Sequence, residues 1–325
     1  MICGHPRRRD TIPVMTAFAT PEEIAHRTTA ARDAAVAAGR ELGLEITEGR
    51  VLYELFSVVV HLAPSPVVAR VPTVLPHTTT PESLAKRQQQ ELDVAQWLHD
   101  RGTPVIPPSP LVERKPVRRD GFSITFWPFT DEDGSSEPDY VKNSELSADL
   151  HKALRDYPGE LEFLSSAEPR FVREGLRRLE GGDLVTPADL RRARAEWEVL
   201  EPLASDEAAF RAKFPQVDLQ PIHGDSPPAN IFASTDGPLF SDFELITYGP
   251  VEWDLAGLGP ELTAAYDRGA RKNGLRELDP EVLRFVNAVG AIRVLAYLSC
   301  ADQLPAMVEF MQPFINQWRD TDPYA

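Results

Sequence analysis

The stretch Pro221-Ile222-His223-Gly224-Asp225-Ser226-Pro227-Pro228-Ala229-Asn230-Ile231-Phe232, followed by Leu239-Phe240-Ser241-Asp242-Phe243-Glu244, organises the reading of the whole chain. Ile222 ends an apolar run with strand character, and Asn230-Ile231-Phe232-Ala233 reads as the next strand. Thr235-Asp236-Gly237-Pro238 is a turn sequence that returns the chain through Leu239-Phe240. The hairpin predicted by this pattern carries Asp242 back toward Asn230. Two oxygen acceptors brought together at strand ends repel one another, which makes a poor structural feature and a good site for magnesium, a hard cation that takes oxygen ligands.

Asp225 stands ahead of both. A carboxylate that orients and deprotonates a hydroxyl, beside amide and carboxylate oxygens that hold magnesium against nucleotide phosphates, is the inventory phosphoryl transfer requires. Taken alone, His223-Gly224-Asp225 reads equally as ordinary turn chemistry. The flanking strands and the second aspartate favour the chemical reading.

The same residues resemble the aminoglycoside phosphotransferase family, whose pattern H-G-D-x-x-x-x-N followed by a metal-binding Asp is matched by His223, Gly224, Asp225, Asn230 and Asp242. The likeness spans roughly residues 50 to 300 and is strongest at this loop. It implies an α+β, protein-kinase-like bilobal fold: a small antiparallel β-sheet lobe with one main helix, and a larger, mostly helical second lobe. It implies Asp225 as catalytic base, His223 as support of the catalytic loop, Asn230 and Asp242 as Mg2+ ligands, and ATP or GTP as phosphate donor. Gly249-Pro250-Val251-Glu252-Trp253-Asp254-Leu255-Ala256 continues the likeness, with Asp254 bracing the loop.

Length agrees with two lobes, since the 325 residues exceed the ~250 to 300 at which single cores stop growing. The expected division is a flexible leader over 1–20, in which Met15 offers an alternative start, a nucleotide-covering lobe over 21–129 and a helical lobe over 130–325. Arg7-Arg8-Arg9 precede no apolar segment, so no secretory signal is expected. No apolar run of about 18 residues is evident, so no membrane span is expected. Cys3 and Cys300 are the only cysteines, at opposite ends and without metal spacing, which predicts a reduced, cytoplasmic protein. A net charge of -16 argues against a nucleic-acid partner and fits either a cationic small molecule or a solvated acidic surface.

In the first lobe, Thr20-Pro21 opens a predicted helix over 21–42 that Gly43 ends. Strand-like segments follow at Gly49 to Leu62 and Val67 to Val71. Val67-Val68-Ala69-Arg70-Val71 resembles the family's phosphate-binding strand, with Arg70 where a lysine is usual. A solvated arginine on an edge strand is the bland alternative. Tyr53 to Val58, the expected phosphate-covering loop, has no glycine, and Ser57 is its best substitute donor. Between Pro81 and His99, Leu84, Gln88, Glu91, Ala95 and Leu98 share one helical stripe. A carboxylate on an inward stripe needs a partner, and the resemblance pairs Glu91 with Arg70. The alternative leaves Glu91 at the stripe's edge, reaching water.

Gly102 to Pro108 is read as leading into another strand and Phe122 to Phe129 as the last. The resemblance makes Trp127-Pro128-Phe129 the segment that reads the nucleotide base, with the N–H of Phe129 as donor because Pro128 has none. Simple core packing of these aromatics is the other reading. The polar tract from Thr130 to Pro138 marks the boundary between lobes.

Leu146, Leu150 and Leu154, the helix opened by Thr186-Pro187 that carries Trp197, and the run Val282, Phe285, Val286, Val289, Ile292 and Leu295 read as core stripes. His151, beside the leucines, reads as a packed residue. Walker, G-x-S-x-G and H-E-x-x-H motifs are absent from the sequence. A hydrolase built on His223 would leave Asn230 and Asp242 without a task. The expected partner is a small-molecule hydroxyl acceptor, aminoglycoside-like, with Glu244 and Glu252 as candidate acidic contacts. The alternatives are a macrolide, an amino sugar, choline or a homoserine-like metabolite, or a catalytically weak nucleotide-binding protein of the same fold.

Overall fold

The computed structural model describes residues 18–134 and 137–325, so Cys3, Met15, nearly all of the expected leader and Ser135-Ser136 lie outside the described residues. Helix α1 (Pro21–Glu41) starts with a capping box in which the Thr20 and Glu23 side chains satisfy each other's backbone N–H groups. It ends before Gly43, at φ 88°. Its small residues Ala31, Ala34, Ala35 and Ala38 are buried, which lets the helix lie close on the sheet.

That sheet has the order β1-β2-β3-β5-β4 and is antiparallel throughout. The strand-like segment from Gly49 is a hairpin of β1 (Ile46–Glu54) and β2 (Ser57–Pro64), turning at Leu55-Phe56 within the expected covering loop. β3 (Val67–Pro72) follows. Val60 pairs with Ala69 and Ala69 with Phe126, and these join Val58, Leu62, Val67, Val71 and Ile124 in the core beneath α1. Arg70, next to Ala69, emerges on the opposite face because side chains alternate along a strand. Helix α2 (Pro81–His99), capped by Thr80 and Ser83, packs on that side, and Leu84, Gln88, Glu91, Ala95 and Leu98 of its stripe are all buried.

Two local expectations are corrected. Residues 103–108 form a single bridge, Val105 with Phe240, instead of a strand, since Pro104, Pro107 and Pro108 offer no N–H to extend a ladder. An unanticipated edge strand, β4 (Val117–Arg119), turns through Asp120-Gly121, both at positive φ, into β5 (Phe122–Pro128).

The helical lobe contains α3 (Tyr140–Leu154), α4 (Pro169–Arg178), α5 (Pro187–Ser205) and α6 (Glu207–Lys213) ahead of the motif. Strand β6 (Gln220–Ile222) pairs with β9 (Thr247–Gly249), and between them lies the hairpin of β7 (Ile231–Ser234) and β8 (Gly237–Phe240). Helices α7 (Gly259–Asn273), α8 (Pro280–Tyr297) and α9 (Met307–Asp320) complete it. Among the described residues, Pro280–Cys300 alone is long and apolar enough to cross a membrane, with mean hydropathy 1.4, although Glu281, Arg284 and Arg293 interrupt it. Here it is a core helix: Val282, Phe285, Val286, Val289, Ile292 and Leu295 are fully buried and join the core built with α4, α5 and α9. A third apolar cluster sets Val94, Ala95 and Leu98 of α2 against Leu150, Leu154, Phe240 and Phe243, forming the seam between sheet and helices.

Candidate functional site

The chain leaves β6 at Ile222 and enters the loop His223-Gly224-Asp225. Gly224 has φ 87°, and a Cβ there would lie 1.7 Å from the Leu245 carbonyl oxygen, so only glycine fits. The loop hangs from Asp254, whose buried carboxylate accepts from His223 N and Gly224 N, each at 2.8 Å. Trp253 Nε1 donates to the Gly224 carbonyl at 2.9 Å. Asp254 is itself held by His151 Nε2 at 2.8 Å, while His151 Nδ1 lies 2.8 Å from the Tyr266 hydroxyl. His151, read from sequence as a packing residue, is therefore the polar prop of the brace. Its position among leucines concealed that role, because Asp254 and Tyr266 are more than 100 residues away in sequence.

His223 is fully buried, with Nε2 2.9 Å from the Ser241 carbonyl and its ring against Phe243. It ties the loop to the exit of the β7–β8 hairpin. Asp225, the next residue but one, is exposed. Asn230 Nδ2 donates to the Ser226 carbonyl at 3.1 Å, which leaves its Oδ1 as an acceptor. Both the N–H and the hydroxyl of Ser241 donate to the Asn230 carbonyl at 3.0 Å, so Asp242 follows directly beside Asn230. Asp242 adopts φ 62°, a left-handed conformation uncommon for aspartate and characteristic of functional positions.

Arg70 is the hub of the facing wall. Its Nη1 donates to Glu91 Oε1 at 2.9 Å, and its Nη2 lies 2.8 Å from Asp242 Oδ1 and 3.1 Å from Glu244 Oε2. Burial opposes the Arg70 charge, and Asp242, Glu244 and Glu91 more than offset it, so its pKa is raised. Glu91 is pushed up to about 8 by burial; Arg70 pulls it down, and Asp242 and Glu244 push it up again. Three carboxyl groups thus surround one guanidinium, and the carboxylates of Asp242 and Glu244 by themselves outweigh its charge.

Such an excess of negative charge, with Asp242 Oδ1 buried outside any aligned hydrogen bond, fits a divalent cation. Asn230 and Asp242 supply hard oxygen donors suited to magnesium. Among the described residues, no cluster of three or more His, Cys, Asp or Glu could hold a metal alone.

Other expected contacts lie elsewhere. Ser57 is 7% exposed, inside β2 opposite Pro72. The turn before it is folded back, with the Phe56 carbonyl accepting from Thr73 N and Val74 N at 2.9 and 3.0 Å. The Phe129 N–H, expected to read a base, instead donates to the Pro66 carbonyl at 3.0 Å, and its ring stacks on His61. Trp127 is partly buried at the seam, its Nε1 donating to Thr125 Oγ1. The two candidate acceptor acids both stand in ion pairs. Glu244 faces Arg70, and Glu252 is fully buried, bound to Arg276 and accepting from Asp279 N at 2.7 Å.

The model of the phosphotransferase enzyme family matches residues 59–286. No curated protein matches the chain. Among solved structures, the GDP and kanamycin complex of APH(2")-IIia superposes with a TM-score of 0.57 at 14% identity, covering 91% of this chain and 99% of that one. A microcompartment-associated aminopropanol kinase gives 0.57 at 16% identity, covering 86% and 93%. Choline kinase LicA from Streptococcus pneumoniae gives 0.56 at 13% identity, covering 88% and 98%. At these identities the likeness establishes the fold, which is that of protein-kinase-like phosphotransferases.

Proposed function

Because the chain belongs to the phosphotransferase enzyme family, we propose that it is a small-molecule kinase that moves the terminal phosphate of ATP or GTP to a hydroxyl of a small acceptor. The observation that carries this reading is the exposed Asp225, on a loop held by Asp254, next to the Asn230 and Asp242 pair. Asp225 accepts a hydrogen bond from the acceptor hydroxyl, aligns it for in-line attack and takes its proton. Asn230 Oδ1 and the Asp242 carboxylate would hold Mg2+, which would supply positive charge to offset that of the phosphates. Arg70, oriented by Glu91, turns from Asp242 and Glu244 to the phosphates, where its fork offers bidentate contact. Trp127 borders the base at the seam, and the lobes part near residue 129. The setting is the cytoplasm, where nucleotide and Mg2+ are supplied, and neither nucleic acid nor membrane takes part.

A second reading, nucleotide binding with weak transfer, is favoured by the glycine-free turn at Leu55-Phe56, which packs on the helical core. Nucleotide consumption over a panel of hydroxylated amines, acids, sugars and antibiotics separates the two. In the kinase reading, Asp225→Asn lowers turnover by about 100-fold or more while Mg-nucleotide binding persists. Unchanged turnover in that variant contradicts it, and binding without transfer to any acceptor favours the second reading.

A further inference from the structure

Beside Asp225 lies a charged cluster that the phosphate chemistry leaves unused. Leu164 N donates to the Tyr248 carbonyl at 2.8 Å and Ser165 N to Thr247 Oγ1 at 2.9 Å. Thr247 pairs with Ile222, immediately before the His223-Gly224-Asp225 loop. This anchorage brings Glu168, at φ 49°, next to the catalytic loop. Its carboxylate accepts from Arg293 Nε at 3.1 Å and from the Tyr297 hydroxyl at 2.8 Å, and lies 3.7 Å from Arg87 Nη1. Arg87 reaches in from α2, one helical turn before Glu91, so the cluster and the Arg70 hub occupy successive steps of one helix face.

Charge decides what this place can bind. Burial opposes the Arg293 charge, and Tyr297, Glu168 and Asp225 more than offset it, leaving its pKa raised and placing it within the field of Asp225. Two guanidiniums therefore share one carboxylate, in a chain whose net charge is -16. The side chains of Arg293, Arg87 and Glu168 are 16%, 22% and 13% exposed, so the cluster is neither sealed nor freely solvated. An ammonium group arriving here meets like charge. A carboxylate meets the remaining N–H groups of Arg293, whose Nε and Nη2 are engaged by Glu168, and those of Arg87, whose Nη1 lies 3.7 Å from Glu168. Both acids expected to receive a cationic acceptor, Glu244 and Glu252, are engaged elsewhere.

We propose that the acceptor is a small hydroxy acid whose carboxylate is held by Arg293 and Arg87 while its hydroxyl faces Asp225. This assignment rests on the kinase reading above. In the reaction, the acceptor oxygen bonds to the terminal phosphorus, the bond from that phosphorus to the bridging oxygen breaks, the nucleoside diphosphate leaves, and the hydroxyl proton passes to Asp225.

The test uses the full chain with matched acceptors differing in charge: glycerate, glycerol and serinol; gluconate, sorbitol and glucosamine; and kanamycin. Thermal shift with Mg·ADP and Mg·GDP is recorded first, then kcat and KM with the triphosphate of whichever stabilises the protein. The acid member of a set is expected to exceed its neutral and cationic counterparts at least about tenfold in kcat/KM, and Arg293→Gln to raise its KM by a similar factor with a smaller change in kcat. Arg87→Gln, at a more exposed position, is expected to act the same way and carries the test if Arg293→Gln fails to fold. Preference for serinol, glucosamine or kanamycin, or no advantage of either acid while Mg·ADP or Mg·GDP still stabilises the protein, overturns the proposal. Absence of a shift with both Mg·ADP and Mg·GDP instead brings down the kinase reading, and this proposal with it.

Discussion

At Gly224 the absence of a side chain sets the geometry of the whole site. The residue combines a positive φ with a neighbour, Leu245 O, in the space a Cβ would fill. This close approach lets Asp254 receive two consecutive amides and leaves Asp225 facing outward. Gly224→Ala must therefore displace either the loop or the 243–246 segment that follows Asp242. We expect a loss of about 2 to 4 kcal/mol in denaturant unfolding, together with at least about a 100-fold fall in turnover. A variant of wild-type stability and activity would show that the loop is not constrained in this way. The strain at Asp242 is of the same kind, an unfavourable backbone held by its surroundings, and it falls on a proposed metal ligand.

Among the elements, α3 and α7 matter most to the loop because they carry its supports. α3 provides His151 to Asp254 and Asn143 Nδ2 to the Pro228 carbonyl at 3.0 Å, while α7 provides Tyr266 to His151. The two helices cross closely at Gly269, where a Cβ would lie 2.2 Å from the Glu145 carbonyl oxygen. Gly269→Ala should push them apart, costing about 1 to 3 kcal/mol and lowering kcat more than nucleotide affinity. Equal effects on stability and none on kcat would separate the helix crossing from the loop. Elements whose cues are local could be read from sequence: the capped starts of α1 and α2, the Asp236-Gly237 hairpin and the α8 core stripe. The Asp120-Gly121 turn from β4 into β5 is equally local, although the sequence analysis places no strand ahead of it. Hidden features depend on distant partners: His151 finds Asp254, Glu252 finds Arg276, and the Phe129 amide finds Pro66. Periodicity placed Glu91 on an inward stripe, but only the fold shows that Asp242 and Glu244 converge on the same arginine.

Over the whole molecule, the sheet and helical lobes meet along an apolar seam, with Leu55, Phe56 and Val74 packed on the helical core. Across the cleft, Arg70 is paired to Glu91 on its own lobe and to Asp242 and Glu244 on the other. In the proposed kinase reading, nucleotide binding exchanges these ion pairs for phosphate contacts and leaves the Asp242 carboxylate to the metal. The most direct measurement is the thermal unfolding of wild type and Asp242→Asn with ADP or GDP, each with and without Mg2+. A nucleotide at a hundredfold excess over its Kd stabilises the folded state by about 2.7 kcal/mol. The expected result is a clear rise in wild-type Tm with at least one nucleotide, dependent on Mg2+, and loss of the Mg2+ dependence in the variant. A wild-type Tm indifferent to both nucleotides, or a rise of equal size without Mg2+ and in Asp242→Asn, would contradict a magnesium-nucleotide site at this cleft.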